Sequence, residues 1–372
     1  MKEIELKLQG KLKRLTNKTF KFDERVREGW FSAVYFLKTS EIAKRYKSDA
    51  VVTMQFFQKT DDAVLCGTDE AIALVHTFAK NPEELEIMSL KDGDKISAFE
   101  SVLTITGPYQ SFGFLEGMID GILARRTSVA TNVYNVVKAA SYSGKQKPII
   151  FMGDRDDHFS QQAGDGYSAY IGGSTAQATH AMSEWWGKKG MGTMPHALIQ
   201  LFNGDVVAAT KAYYETFPED EIMALVDYNN DVITDSLRVA REFKDKLNAV
   251  RLDTSRTMVD QYFFRNQHVL GDFDPRGVNP QLIFALRKAL DNEGFNHVKI
   301  VASGGFTKER ILEFEQQNVP VDMYGVGSSL LNIHIGFTGD NVLLNGKPEA
   351  KAGRRYRPNP RLEKVEYDKP SH

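Results

Sequence analysis

Apolar positions along the chain change their period twice. Across residues 49–108 they alternate or come in short blocks, which predicts strands over 50–57, 85–90, 96–99 and 102–106, with a turn at Asp92-Gly93. One helical stretch interrupts them over 68–80, where Ile72, Val75, Phe78 and Ala79 share a face and Thr68 is placed to cap the first turn. A small α+β domain is the expectation. After Gly107-Pro108 the period turns helical through Arg126, and a second helical stretch covers 128–141.

Beyond Lys147 short apolar strands alternate with helices. The strands are expected over 148–152, 222–226, 249–252, 298–302 and 321–324, and the intervening helices include 231–247, 280–292 and 307–317. Such alternation calls for parallel strands with helical crossovers. A doubly wound sheet fits the same rhythm, but no Gly-x-Gly-x-x-Gly turn follows a first strand, so an α/β barrel is preferred, with its chemistry at the strands' C-terminal ends. The expected partition is an N-terminal α+β domain over 1–124, a barrel over 125–335 and a tail over 336–372 that packs back on the first domain or moves freely.

Composition narrows the class. The 372 residues are 42% apolar and 26% charged, which excludes neither fold but argues against disorder. Forty-seven basic and forty-nine acidic side chains are interspersed, so nucleic acid is not an expected partner. Cys66 is the single cysteine, ruling out an intrachain disulfide and suiting a reducing compartment. Residues 1–21 mix Lys and Glu with Leu, and no run of about 18 apolar residues occurs, so a cytoplasmic protein without membrane spans is expected.

The predicted strand ends carry polar or glycine-rich groups: Asp154-Arg155, Thr193 to His196, Asp227, Arg251 to Asp253, Ser303-Gly304-Gly305 and Gly325-Val326-Gly327-Ser328. The last two lie on consecutive βα units, and glycine lets backbone N–H groups approach an anion without a Cβ in the way. Each alone is a tight turn; the pair points to a phosphate. Arg251 and Asp253 either pair with each other or face a ligand carboxylate and sugar hydroxyls. His196 follows a segment stiffened by Gly192 and Pro195, and a lone histidine there is as readily structural. Arg125-Arg126-Thr127 sets two cations beside a hydroxyl, fit to grip a pyrophosphate or simply solvated.

In order along the chain, Tyr35-Phe36-Leu37-Lys38-Thr39, Arg125-Arg126-Thr127-Ser128, Gly192-Thr193-Met194-Pro195-His196, Arg251-Leu252-Asp253-Thr254, Ser303-Gly304-Gly305 and Gly325-Val326-Gly327-Ser328 resemble the nicotinate phosphoribosyltransferases, type II phosphoribosyltransferases of pyridine carboxylates. The resemblance spans about residues 35–331. It implies an incomplete (β/α) barrel with an N-terminal α+β sandwich-like domain, assembled as a homodimer with shared active sites. It further implies Mg²⁺, ATP as co-substrate, and transfer of nicotinate onto phosphoribosyl pyrophosphate in NAD salvage.

By the same resemblance Tyr35 stacks on nicotinate from across the dimer, while Thr193 and Arg251 hold its carboxylate. Arg125, Arg155, Ser303 and Gly325 bind phosphoribosyl pyrophosphate, whose 5′-phosphate rests on Gly304, Gly305, Gly327 and Ser328. His196 takes the position of a transiently phosphorylated histidine, and Asp227 and Asp253 hold the ribose or the metal's water shell. Two departures stand out: Asp154, Asp156 and Asp157 surround Arg155 where a second base is expected, and Ala33 stands where many relatives carry an acid. Quinolinate phosphoribosyltransferase is the nearest rival, disfavoured by that acidic stretch. A non-catalytic nicotinate- or phosphoribosyl-binding regulator is the rival of another kind.

Overall fold

The computed structural model describes residues 10 and 12–368; the remainder of the N-terminal stretch read above, and residues 369–372, lie outside the described residues. The chain divides into two compact units. Among the described residues the first comprises those up to 134, 163–173 and those from 332 on, and the second comprises 135–162 and 174–331.

In the first unit, helix α1 (Val34–Tyr46) is followed by strand β1 (Val51–Phe57), a short β2 (Ala63–Val64), helix α2 (Thr68–Phe78), β3 (Glu86–Ser89), β4 (Lys95–Ile96) and β5 (Leu103–Pro108). The apolar blocks of β1 and β5 pair antiparallel, Met54 opposite Ile105. Met54, Phe56, Ile87 and Ile105 then pack in one core with Leu74 and Val75 of α2 and with Leu115 and Ile119. Thr68 does not cap α2. Gly67, at φ +98°, occupies the cap position, and Thr68 is the first helical residue. Asp92 performs the capping from a distance, accepting from both Thr68 N and Thr68 Oγ1 at 2.8 Å.

The two helical stretches expected around Arg125-Arg126-Thr127 form one helix, α3 (Glu116–Ala140). A boundary at residue 125 therefore falls inside a continuous helix. The polar residues that suggested a break are satisfied by neighbours across the fold. Thr127 Oγ1 lies 3.0 Å from Cys66 O and 3.2 Å from Cys66 N, and Thr131 Oγ1 accepts from Val64 N at 3.0 Å. Arg126 donates to Glu70 and to Asp165 of helix α4 (Gln162–Gly172). Buried backbone and charge thus find partners without a turn in the chain.

The second unit holds six parallel strands: β6 (Ile149–Phe151), β7 (Ala176–Gln177), β8 (Ile222–Leu225), β9 (Leu247–Leu252), β10 (Lys299–Ala302) and β11 (Met323–Val326). They form one sheet in the order β7-β6-β11-β10-β9-β8, which leaves β7 and β8 as unpaired edges. Between them run helices α5 (Val206–Thr216), α6 (Val232–Phe243), α7 (Pro280–Asn292) and α8 (Lys308–Gln316). Pro280 opens α7 at a position where its missing N–H costs nothing, and Asn279 caps it. The barrel is thus incomplete, as its family resemblance implies. Strand β7 was not legible in the sequence, because two residues carry no period.

After residue 332 the chain returns to the first unit. Strand β12 (Thr338–Leu344) pairs antiparallel with β1, and β13 (Lys347–Pro348) and β14 (Glu363–Lys364) extend the sheet to the order β13-β12-β1-β5-β3-β14. The return is fixed where Ser128 Oγ accepts from Ile335 N at 3.0 Å and His334 N at 3.3 Å. Among the described residues no helix is long and apolar enough to cross a membrane.

Candidate active site

The C-terminal ends of the second unit's strands surround a cavity of about 300 Å³ lined by Asp154, Arg155, Thr193, His196, Arg251 and Asp253, with Met152 and Met194 forming its apolar wall. Arg251 is the penultimate residue of β9 and is held in register opposite Val301 of β10. One amino group of its guanidinium donates to Met194 O at 3.1 Å, and the other lies 3.8 Å from Met152 Sδ. Its Nε is buried without a hydrogen-bond partner, and no carboxylate bonds to the group among the described residues. A half-buried cation left in this state is poised for a planar anion such as a carboxylate.

The alternative of a closed Arg251–Asp253 ion pair is not realised. Asp253 turns instead to β10, where its Oδ1 lies 2.9 Å from Ser303 Oγ; that hydroxyl also lies 2.9 Å from Leu252 O. Ser303 is buried and ties the two strand ends together. Thr193 lines the cavity with its hydroxyl uncommitted among the described residues.

His196 begins the short helix His196–Leu201, and its Nε2 lies 3.0 Å from Asp227 Oδ2. Asp227 follows β8 and is buried, with its Oδ1 lacking any partner. Burial pushes its carboxyl up from the usual range, the His196 contact opposes this, and nearby Asp253 adds to it. The pair is a carboxylate-oriented imidazole whose Nδ1 remains free to act.

The two glycine turns have the form an anion requires. Gly304 and Gly305 adopt φ of +91° and +68°, a region open to glycine and strained for other residues. The carbonyls of residues 304–306 are taken: Gly304 O and Gly305 O accept from Arg310, and Phe306 O accepts from Ser329 Oγ at 2.9 Å. The amides of Gly304, Gly305 and Phe306 have no acceptor among the described residues, and neither do those of Gly327 and Ser328. Donors without acceptors on consecutive residues make an anion cup. At Gly325 a Cβ would lie 2.7 Å from Met152 Sδ, the end of a flexible side chain, and 3.0 Å from Ser303 Cβ, so glycine eases the packing there. At Gly327 a Cβ would lie 2.8 Å from Asp156 Oδ2, so one of the unexpected aspartates borders the cup. The second turn leads into a single 3-10 turn, Ser328–Leu330, rather than the helix expected after it.

Tyr35 and Arg125 belong to the first unit. Tyr35 lies in the first turn of α1, 65% exposed among other exposed apolar side chains, Trp30, Phe31, Val34 and Ile42. Arg125 pairs in a two-pronged fashion with buried Asp165, at 2.9 Å from Nε and 2.7 Å from a terminal nitrogen. Asp165, Ser329 and Arg310 were not singled out from sequence. Arg310 had one usable signal: a cation in the first turn of a helix opposes the helix dipole, so something else must hold it there.

Residues 33–127 match the quinolinate phosphoribosyl transferase N-terminal domain family. The chain is 27% identical over 254 residues to nicotinate phosphoribosyltransferase of Bacillus subtilis (strain 168), covering 66% of this chain and 46% of that protein. It thus spans about half the length of the curated relatives it matches. A solved structure of nicotinate-nucleotide pyrophosphorylase from Pyrococcus furiosus is 28% identical and superposes with a TM-score of 0.76 over 93% of this chain and 85% of that one. Human nicotinic acid phosphoribosyltransferase, 16% identical, shares the fold at a TM-score of 0.65 over 86% of this chain and 75% of that one. The open parallel barrel and the antiparallel sheet unit are the architecture that the chain shares with these solved structures. Its curated relatives are nicotinate phosphoribosyltransferases, to which the chain is similar at 24–27% identity.

Proposed function

We propose that this protein is an enzyme that transfers a phosphoribosyl group from phosphoribosyl pyrophosphate to nicotinate, forming nicotinate mononucleotide for NAD salvage. The observation that carries the reading is Arg251, a cation without a carboxylate partner, in the same cavity as Asp253 and next to the anion cup of Gly304 and Gly305. Arg251 and Thr193 take the nicotinate carboxylate, and the free amides at 304–306 and 327–328 take the 5′-phosphate. The pyridine nitrogen then attacks the anomeric carbon as pyrophosphate departs, and Asp227 and Asp253 oppose the positive charge that gathers on the ribose ring.

Asp227 and Asp253 also fit a magnesium ion. Asp227 Oδ1 is buried without a partner, and one or two carboxylates with substrate phosphate oxygens suffice for this ion. Bound there, Mg²⁺ would neutralise the leaving pyrophosphate. Coupling to ATP is assigned to His196, whose Nε2 is fixed on Asp227 so that Nδ1 is the nitrogen left to accept a phosphoryl group. The exposed aromatic face of α1 with Tyr35 supports a homodimer with shared sites.

Purified protein with phosphoribosyl pyrophosphate and Mg²⁺ should be offered nicotinate, nicotinamide and quinolinate separately, each with and without ATP. Mononucleotide from nicotinate alone, faster with ATP, is expected. Product from quinolinate would move the assignment to the sister enzyme, and no product from any acceptor would leave a binding protein.

A further inference from the structure

The Ser303-Gly304-Gly305 turn does not hold its shape through its own backbone. Its carbonyls make no main-chain hydrogen bond beyond the turn, and glycine at two successive positive-φ positions gives the chain the greatest freedom to leave this conformation. Ser303 is anchored through its N–H and hydroxyl on Leu252 O, and the carbonyls of the two glycines beyond it are restrained by one side chain. Arg310, in the first turn of α8, donates through one terminal nitrogen to Gly304 O at 2.8 Å and Gly305 O at 3.4 Å, and through the other to Val278 O. Its guanidinium also lies over the rings of Phe306, at 4.4 Å, and Phe314, at 5.7 Å.

This placement is costly. Arg310 forms no ion pair among the described residues, and Asp274, which lines the same recess, is closed on Arg276 by two short contacts. Burial, with Arg256 close by, pulls its guanidinium down to about 10, while Glu313 opposes the shift. A half-buried cation, without a carboxylate among the described residues and against the dipole of its own helix, needs a compensating gain.

We propose that Arg310 is a positioning residue for the phosphoribosyl 5′-phosphate: it binds the carbonyl side of the Gly304–Gly305 turn, so that the amide side is presented to the anion with an uncompensated positive charge behind it. Ser329 completes the device. Its hydroxyl takes the next carbonyl, Phe306 O, and links the second glycine turn to the first. With all three carbonyls engaged, peptide units 304–306 resist the flip that would point oxygen at the phosphate. The inference rests on the phosphoribosyltransferase reading and adds a residue that does not itself touch substrate.

The test is Arg310→Gln and Arg310→Lys, with Ser329→Ala as a milder variant that removes a single hydroxyl. Calorimetric binding of ribose 5-phosphate and KM values for phosphoribosyl pyrophosphate and nicotinate are measured on each. Arg310→Gln should weaken ribose 5-phosphate about tenfold or more and raise the phosphoribosyl pyrophosphate KM in parallel, with the nicotinate KM little changed. Arg310→Lys should recover part of the loss, and Ser329→Ala should show the same selectivity at a few-fold. Unchanged ribose 5-phosphate affinity in Arg310→Gln and Ser329→Ala overturns the proposal, as does an equal loss for both substrates. If Arg310→Gln does not fold, Ser329→Ala decides by the same criterion. Wild-type protein that binds neither ribose 5-phosphate nor phosphoribosyl pyrophosphate refutes the parent reading, and that failure is visible before any variant is made.

Discussion

Replacing Arg251 by methionine keeps the length and apolar stem of the side chain while removing its charge. Met194 O loses one donor, but the cavity is open to water, so solvent replaces that bond. No buried carboxylate is stranded, because none bonds to Arg251 among the described residues. Folding stability should therefore stay within about 1 kcal/mol of wild type or rise, since surface and cavity-wall changes away from networks are small. Binding should respond very differently. A charge-assisted bond contributes about 1.5–3 kcal/mol, and the guanidinium can offer two to a carboxylate, of which at least one is lost outright. The nicotinate kcat/KM should fall by roughly 10- to 100-fold at one decade per 1.4 kcal/mol. Steady-state assays with nicotinate varied at saturating phosphoribosyl pyrophosphate measure this, with nicotinamide as the neutral comparison. Selectivity for nicotinate over nicotinamide should collapse by the same factor. A nicotinate kcat/KM within twofold of wild type, or a loss shared equally with nicotinamide, would refute the carboxylate role.

Three other expectations follow from the geometry. Removing His196 as alanine should abolish ATP stimulation and leave slow ATP-independent transfer; stimulation that persists removes His196 from the coupling. Asp165→Ala removes the buried carboxylate that Arg125 and Arg126 share, leaving Arg126 on Glu70 alone of its two carboxylates, so chemical denaturation should show a loss of about 3–5 kcal/mol, and a loss below 1 would refute the buried network. Burial, with Asp69 nearby, raises the Asp92 carboxyl from 3.8 to about 7. A raised folded-state value contributes stability at pH below about 4 that is lost as pH climbs to about 7. Asp92→Asn should remove that dependence: its stability relative to wild type improves between pH 5 and pH 8, and a difference that is flat across this range would contradict the assignment.

Local periods were enough to place most elements. The helix at 280–292 and strand 51–57 were legible because an amphipathic or alternating pattern, a capping asparagine and a helix-opening proline agree with one another at those positions. Glycine-rich turns after β10 and β11 were legible for the same local reason, as was the cation at the end of β9. The order of motifs then carried the family resemblance, which single motifs could not.

Tertiary structure decided the rest, because it depends on partners distant in sequence. Whether Arg251 faced Asp253 or stood unpaired was open in sequence, and was settled when Ser303, fifty residues on, took Asp253 Oδ1. The unbroken α3 depends on Cys66, Glu70 and Asp165 supplying partners to residues that otherwise look like a turn. The first unit's sheet is completed by a segment almost three hundred residues from the strand it pairs with. Sequence fixes the conformational preferences and donor inventory of each segment; which donor meets which acceptor, and which cation is left over for a ligand, is set only when the segments pack.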